Sequence, residues 1–115
     1  MQYVDQASTN TAKDISIAKL QQVLDNNYQG FSRYVPLDTI LRILEREKIL
    51  DSRDVTDIRN EQHEEDRIEL LFKFFYNHSS VTDFLIFCQL LQKQSKRATQ
   101  EFGQKMKMEL TQSRS

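Results

Sequence analysis

SVTDFLIFCQLL, residues Ser80–Leu91, is the stretch whose reading decides the fold. It opens on Ser80-x-x-Asp83, a capping-box spacing whose side chains can satisfy orphan N–H groups at a helix start. Wound at about 100° per residue, Val81, Phe84, Leu85, Phe87, Cys88 and Leu91 cover a wide apolar arc. Ile86 and Leu90 fall on the remaining side, where a surface helix would carry charges. A helix apolar nearly all round belongs in the middle of a bundle. A membrane span needs about twenty apolar residues. Polar residues close this run on both sides, so the expectation is burial by other helices.

Working outward, the flanking sequence carries more helices and little else. Two glycines and one proline leave few of the turns that hairpins and sandwiches require. With 38% hydrophobic and 29% charged residues, an all-helical domain is expected over residues 13–110, between a flexible lead-in (1–12) and a disordered tail (111–115). One cysteine excludes an internal disulfide and a cysteine-based zinc site. The N-terminus carries no signal-peptide core, which sets the expected location as cytoplasmic, with the nucleus as the other reducing compartment.

In chain order, Thr11-x-x-Asp14 predicts a first helix over about Ala12–Asn27, with Ile17, Leu20, Val23/Leu24 and Tyr28 as its stripe. Asn26-Asn27 and Gly30 are read as its stop. Pro36 opens a second helix with Leu37, Ile40, Leu41 and Leu44 inward and Ile43 off the stripe; Ile49-Leu50 then return to the core. Asp51-x-x-Asp54 restarts a short third helix to about Asn60, carrying Val55 and Ile58. A fourth begins within Glu61–Asp66, its acids favourable at the positive end of the dipole. Its stripe is Ile68, Leu71, Phe72 and Phe75, with Tyr76 at the edge. Leu70 and Phe74 lie opposite and either pack on the first or last helix or form an exposed patch; packing is favoured, since large exposed patches are uncommon. The last helix, about Arg97–Leu110, carries Ala98, Phe102, Met106 and Leu110. Its stripe is sparse and Gly103 weakens it, so it is expected to be the least firmly docked.

Six helices in this order resemble a caspase recruitment domain (CARD), a branch of the death-fold superfamily. Three stretches carry the resemblance: LDTILRILEREKILDSRDVTDIRN for the second and third helices, DRIELLFKFF for the fourth, and Phe84-x-x-Phe87-Cys88-x-x-Leu91 for the fifth. It covers about residues 13–110. The resemblance implies a six-helix antiparallel Greek-key bundle that binds other CARD-containing proteins (a caspase, an adaptor or a receptor) in apoptotic or inflammatory and innate immune signalling. In the family's usual contact, bases on the first and fourth helices of one molecule meet acids on the second and third of another. Repeating that heterologous contact builds helical assemblies.

On this sequence the acidic half of that contact is Glu45, Glu47, Asp51, Asp54 and Asp57. The basic half is Lys13, Lys19, Arg67 and Lys73, and it is thin: the fourth helix starts Glu64-Glu65-Asp66, with Arg67 the lone base before Lys73. The expected role is therefore to present acids to a basic partner, with self-association through Lys93, Lys96 and Arg97 as a second route. Charge is unevenly spread in the same sense. Residues 1–92 hold 15 acids and 10 bases, a net −5, while residues 93–115 hold 2 acids and 6 bases, a net +4.

Other chemistries find less purchase. His63 precedes three acids, but HEED lacks the second histidine of a zinc HExxH helix, so His63 reads as a surface residue. His78 sits in a turn. Cys88 lies on the apolar side of its helix and reads as a small core residue rather than a nucleophile. Asp51-x-Arg53-x-Val55 fails an EF-hand loop, and no Gly-rich phosphate loop exists. No catalytic residue, metal or cofactor is expected. The alternative function is binding of nucleic acid or an acidic surface through Lys93, Lys96, Arg97, Lys105 and Lys107. It is disfavoured by the net charge and by Phe102 being the lone aromatic among those bases.

Overall fold

The computed structural model describes residues 16–111, which contain seven helices and no strand. They are α1 (Ile17–Asn26), α2 (Tyr28–Tyr34), α3 (Leu37–Arg46), α4 (Ser52–Arg59), α5 (Glu64–Asn77), α6 (Val81–Gln92) and α7 (Arg97–Thr111). The lead-in, the Thr11 cap, Lys13 and residues 112–115 lie outside the described residues.

Helix starts follow local chemistry. The Ser16 hydroxyl accepts from the Lys19 N–H at 3.1 Å and opens α1. Pro36 stands at the N-cap of α3, where its missing N–H costs no hydrogen bond. It also holds Val35 in the extended conformation (φ −85°, ψ 118°) that ends α2. At α4 the reciprocal capping box is complete: Asp54 N–H donates to Asp51 Oδ1 at 2.9 Å, and Asp51 N–H to Asp54 Oδ2 at 3.3 Å. Ser80 caps α6 through the Asp83 N–H at 3.0 Å.

The expected first helix opens later than read, at Ile17 after the extended Ser16, and closes at Asn26 near its expected stop, but a further helix, α2, follows where a link was expected. Asn27 (φ −118°, ψ 16°) leaves helical geometry, and its side-chain amide donates back to the Val23 carbonyl at 2.7 Å. Such side-chain bonding competes with continuation of the helix. Gly30, read as a terminator, instead lies inside α2 without a positive φ. Its role is space. A Cβ there would stand 2.2 Å from a ring carbon of Phe102. Tyr28 is accordingly off the expected buried stripe and is 46% exposed.

Ile17, the first residue of that expected stripe, is also exposed, but the rest of the buried set follows the apolar periodicity closely. Leu20, Val23 and Leu24 of α1, Leu37, Ile40, Leu41 and Leu44 of α3, and Val55 and Ile58 of α4 are buried. So are Leu50 and the α5 stripe Ile68, Leu71, Phe72 and Phe75. Leu70 and Phe74 are half-buried and pack against this core. On α6 the buried positions are Val81, Phe84, Phe87, Cys88 and Leu91, while Leu85, Ile86 and Leu90 are half-buried. The central helix thus has one fully covered face and a partly covered flank, rather than burial all round.

The core turns on Phe31 of α2, which is fully buried. Its ring lies 5.7 Å from Phe87 of α6 in a stacked arrangement, and edge-on to Phe72 of α5 (5.3 Å) and Phe102 of α7 (6.0 Å). One side chain therefore joins four helices. Phe87 extends the cluster to Phe75 at 4.5 Å and Phe84 at 5.8 Å.

The last helix is docked, against expectation. α7 packs along α6 and also meets α1 and α2. Gly103 is the reason. A Cβ at this position would lie 2.7 Å from the Cys88 carbonyl oxygen and 2.7 Å from Leu91 Cβ, so the bare glycine lets two helix backbones meet. The helix buries Thr99, Phe102, Gly103, Met106 and Leu110; Ala98, expected inward, is exposed. Thr99 takes the inward place because its hydroxyl donates to the Tyr34 carbonyl at 2.8 Å.

Two stability measurements check this packing. Gly→Ala in a free helix gains about 1 kcal/mol. Gly103→Ala is expected instead to lower the stability seen in urea unfolding by about 1–3 kcal/mol, because α7 must back away from α6. Phe31→Ala is expected to cost about 3–5 kcal/mol, the range for large core rings; a loss under 1 kcal/mol would show that the four helices do not depend on it.

Candidate functional site

The residues expected to meet a partner concentrate where α3 turns into α4. That turn is held by backbone geometry. Lys48 has φ 65°, the N–H of Lys48 donates to the Glu45 carbonyl at 3.0 Å, and the N–H of Ile49 to the Leu44 carbonyl at 3.0 Å. This is the two-bond closure of a Schellman helix end, with a lysine where glycine is usual. The Asp51–Asp54 box begins three residues later.

On this corner Glu47, Asp51 and Asp57 are exposed, and Glu45 and Asp54 are half-buried. None forms an ion pair among the described residues. Their carboxylates differ in availability, however. Asp51 and Asp54 are held by the capping box, whereas Glu47 and Asp57 make no side-chain hydrogen bond among the described residues. Arg46, Lys48, Arg53 and Arg59 are exposed between them, so the corner is mixed in sign rather than uniformly acidic. The exposed Glu64, Glu65 and Asp66 add three acids at the first turn of α5.

Two of the four expected basic residues make contacts within the fold. Arg67 Nε donates to the Glu61 carbonyl at 2.8 Å and clamps the link before α5. Lys73 lies 3.8 Å from Glu69 one turn away. Lys19 is half-buried on α1, and Lys13 lies outside the described residues. The acids and these bases are thus not equivalent halves of one contact surface.

The bases of the C-terminal stretch divide as well. Lys105 Nζ donates to Asn27 Oδ1 at 2.6 Å and to Glu109 at 2.8 Å, while Asn27 Nδ2 donates to Glu109 at 2.9 Å. This triad ties α7 to the break between α1 and α2, and it consumes the charge of Lys105. Arg97 pairs with Glu101 at 3.9 Å. Lys107 is half-buried, and Lys93 and Lys96 are exposed. A continuous basic track for a phosphate backbone is therefore interrupted.

Two surface tyrosines hold α1 and α2 to α5. The Tyr28 hydroxyl donates to Glu69, and that bond, then the carboxylate charge, pushes its phenol above the ordinary tyrosine range. Tyr76 donates to Asp25 at 3.3 Å; desolvation and then the Asp25 charge push it in the same direction. Their rings flank Phe72 at 4.8 and 5.8 Å.

No family model, curated protein or solved structure matches this chain. The reading of the site rests on its own residues. His63 is exposed at the α5 N-cap position without a side-chain capping bond, and His78 is exposed at the end of α5. Cys88 is fully buried, and burial pushes its thiol far up, away from the reactive thiolate. Among the described residues no group of three His, Cys, Asp or Glu side chains is arranged to hold a metal. No helix among them is long and apolar enough to cross a membrane.

Asn27, Thr99 and Lys105 are the structural polar residues that sequence reading missed. Asn27 carried a signal in the Asn-Asn pair, but its bond to a residue 82 positions away has no local signature. The αL lysine yields a direct check on the corner: Lys48→Gly should raise stability by about 1 kcal/mol, because a side chain in left-handed geometry costs about that much. A lower urea midpoint would show that the turn closes differently.

Proposed function

We propose that the chain is a non-enzymatic recognition module of the caspase-recruitment type, in which α1 and α2 together form the first helix of a six-helix Greek-key death fold. In this reading it acts in the cytoplasm, recruiting another CARD-containing protein in apoptotic or innate immune signalling. Its chemistry is protein–protein contact, with Glu47 and Asp57 as the leading groups.

The observation that carries the reading is the α3–α4 corner. A Schellman end and a capping box, three residues apart, fix its backbone, yet Glu47 and Asp57 have no ion pair among the described residues. Rigid backbone with uncommitted charge suits docking, because little order is lost when the partner arrives. Such exposed charges act mainly on the association rate and its salt dependence. The internal commitments of Arg67 and Lys73 support an acid-presenting role over a symmetric one.

The test is binding to a panel of CARDs with basic first and fourth helices, by surface plasmon resonance. Glu47→Lys with Asp57→Lys is expected to weaken the interaction about tenfold or more, mostly in the on-rate, at an unchanged thermal midpoint. Asp54 is left alone because reversing it would remove the reciprocal half of the capping box, the bond its carboxylate accepts from the Asp51 N–H. Unchanged affinity in the double variant would refute the assignment.

A further inference from the structure

A second surface lies at the opposite end of α3 from the acidic corner. There the elbow between α2 and α3 faces the turn between α6 and α7 across a cleft of about 400 Å³. Arg33, Tyr34, Val35, Thr39, Ser95 and Lys96 line it. None of its ten lining residues is an acid, in a chain whose acids outnumber its bases 17 to 16. Arg33 and Lys96 are exposed, and neither has an ion-pair partner among the described residues.

The walls of this cleft are fixed independently of any ligand. Thr99 Oγ1 donates to the Tyr34 carbonyl across it, joining α7 to the end of α2. Gln100 Nε2 donates to the Gln94 carbonyl and braces the α6–α7 turn. Tyr34 packs on Phe102 at 5.4 Å, so its ring is backed by the core. Val35 and Pro36 supply apolar surface between the two cationic arms.

We infer that this cleft is a docking site for an acidic polypeptide segment of a partner protein, one that places carboxylates against Arg33 and Lys96 and an apolar side chain against Val35 and Pro36. Charge complementarity selects the acids, and the hydroxyls of Thr39, Ser95 and Tyr34 provide further donors. A nucleic acid fits less well. Phosphates need a row of free cations along the surface; Lys93 extends it by one residue, but the next bases on α7, Arg97 and Lys105, are paired with Glu101 and Glu109. The site is separate from the α3–α4 corner. α3 has ten residues, so the two surfaces stand about 15 Å apart along its axis. The module would thereby carry a second contact, distinct from the mixed-sign corner, with the exposed Asp38 of α3 next to its rim but outside its lining.

Fluorescence polarisation with a labelled decapeptide of alternating glutamate pairs and leucines tests this, beside its glutamine counterpart and a single-stranded oligothymidine. The glutamate peptide is expected to bind the full chain and the glutamine peptide at least about tenfold more weakly, with affinity falling as salt rises. Arg33→Glu with Lys96→Glu should remove binding, whereas Arg42→Glu, on α3 outside the cleft, should not. Amide NMR shifts should map to residues 33–39 and 94–99. Tighter binding of the oligothymidine at those residues would overturn the inference in favour of nucleic acid. Shifts elsewhere, no binding, or a salt-sensitive signal due solely to self-association in light scattering would also overturn it. Because Glu47 and Asp57 are untouched, failure here leaves the proposed acidic contact standing.

Discussion

The position of Phe31 constrains everything else. A seven-residue helix cannot hold itself in water, since nucleation alone costs more than two turns return. α2 persists because its one buried residue reaches rings on α5, α6 and α7 simultaneously. Edge-to-face pairs add about 0.5–1.5 kcal/mol each beyond the area they bury. Between α1 and α2 the chain breaks at Asn27, whose side-chain amide bonds back to the Val23 carbonyl. That break presents Asn27 to α7, where Lys105 and Glu109 meet it. It also sets Gly30 under the Phe102 ring. The two glycines therefore act as a pair: one admits a ring of α7 against α2, the other admits α7's backbone against α6.

This arrangement explains which parts of the fold could be read from sequence. Helices of ten or more residues with one apolar face announced themselves: the stripes of α3 and α5 are buried as their spacing requires. Two caps were equally legible, Ser80 and the Asp51–Asp54 box, because they act through bonds three residues long, whereas the Ser16 cap of α1 was not read. α2 was not legible. With seven residues it shows no periodicity, and Phe31 stands alone between Gly30 and Ser32. Gly103 was misjudged for a related reason. Propensity treats glycine as a weakness, and only the neighbouring backbone shows that it is a contact.

Charge was legible in amount but not in commitment. Arg67, Lys73, Arg97 and Lys105 look alike in a sequence, yet each is already bonded, to the Glu61 carbonyl, Glu69, Glu101 and the Asn27–Glu109 pair. Exposed pairs such as Lys73–Glu69 contribute about 0–1 kcal/mol of stability, but they lower the charge seen by a partner. Asp51 and Asp54 are oriented by backbone N–H groups at a helix start, while Glu47 and Asp57 have no side-chain bond among the described residues. What the structure adds is a sorting of charges into those bonded within the fold and those with no partner among the described residues.

That sorting gives α3 a particular place. Its N-terminal end is set by Pro36 and lies beside Arg33 and Lys96, with the exposed Asp38 in its own first turn; its C-terminal end is set by an αL lysine and lies beside exposed charges of both signs. Between them the helix buries Leu37, Ile40, Leu41 and Leu44 and packs on α4 and α6. A buried helix of this kind is stiff, so the two charged ends keep a fixed separation. Charges on loose loops would surrender side-chain and backbone entropy on binding; charges at the ends of a packed helix surrender less. The packed α3 thereby fixes the spacing between the mixed-sign corner at its C-terminal end and the cleft at its N-terminal end.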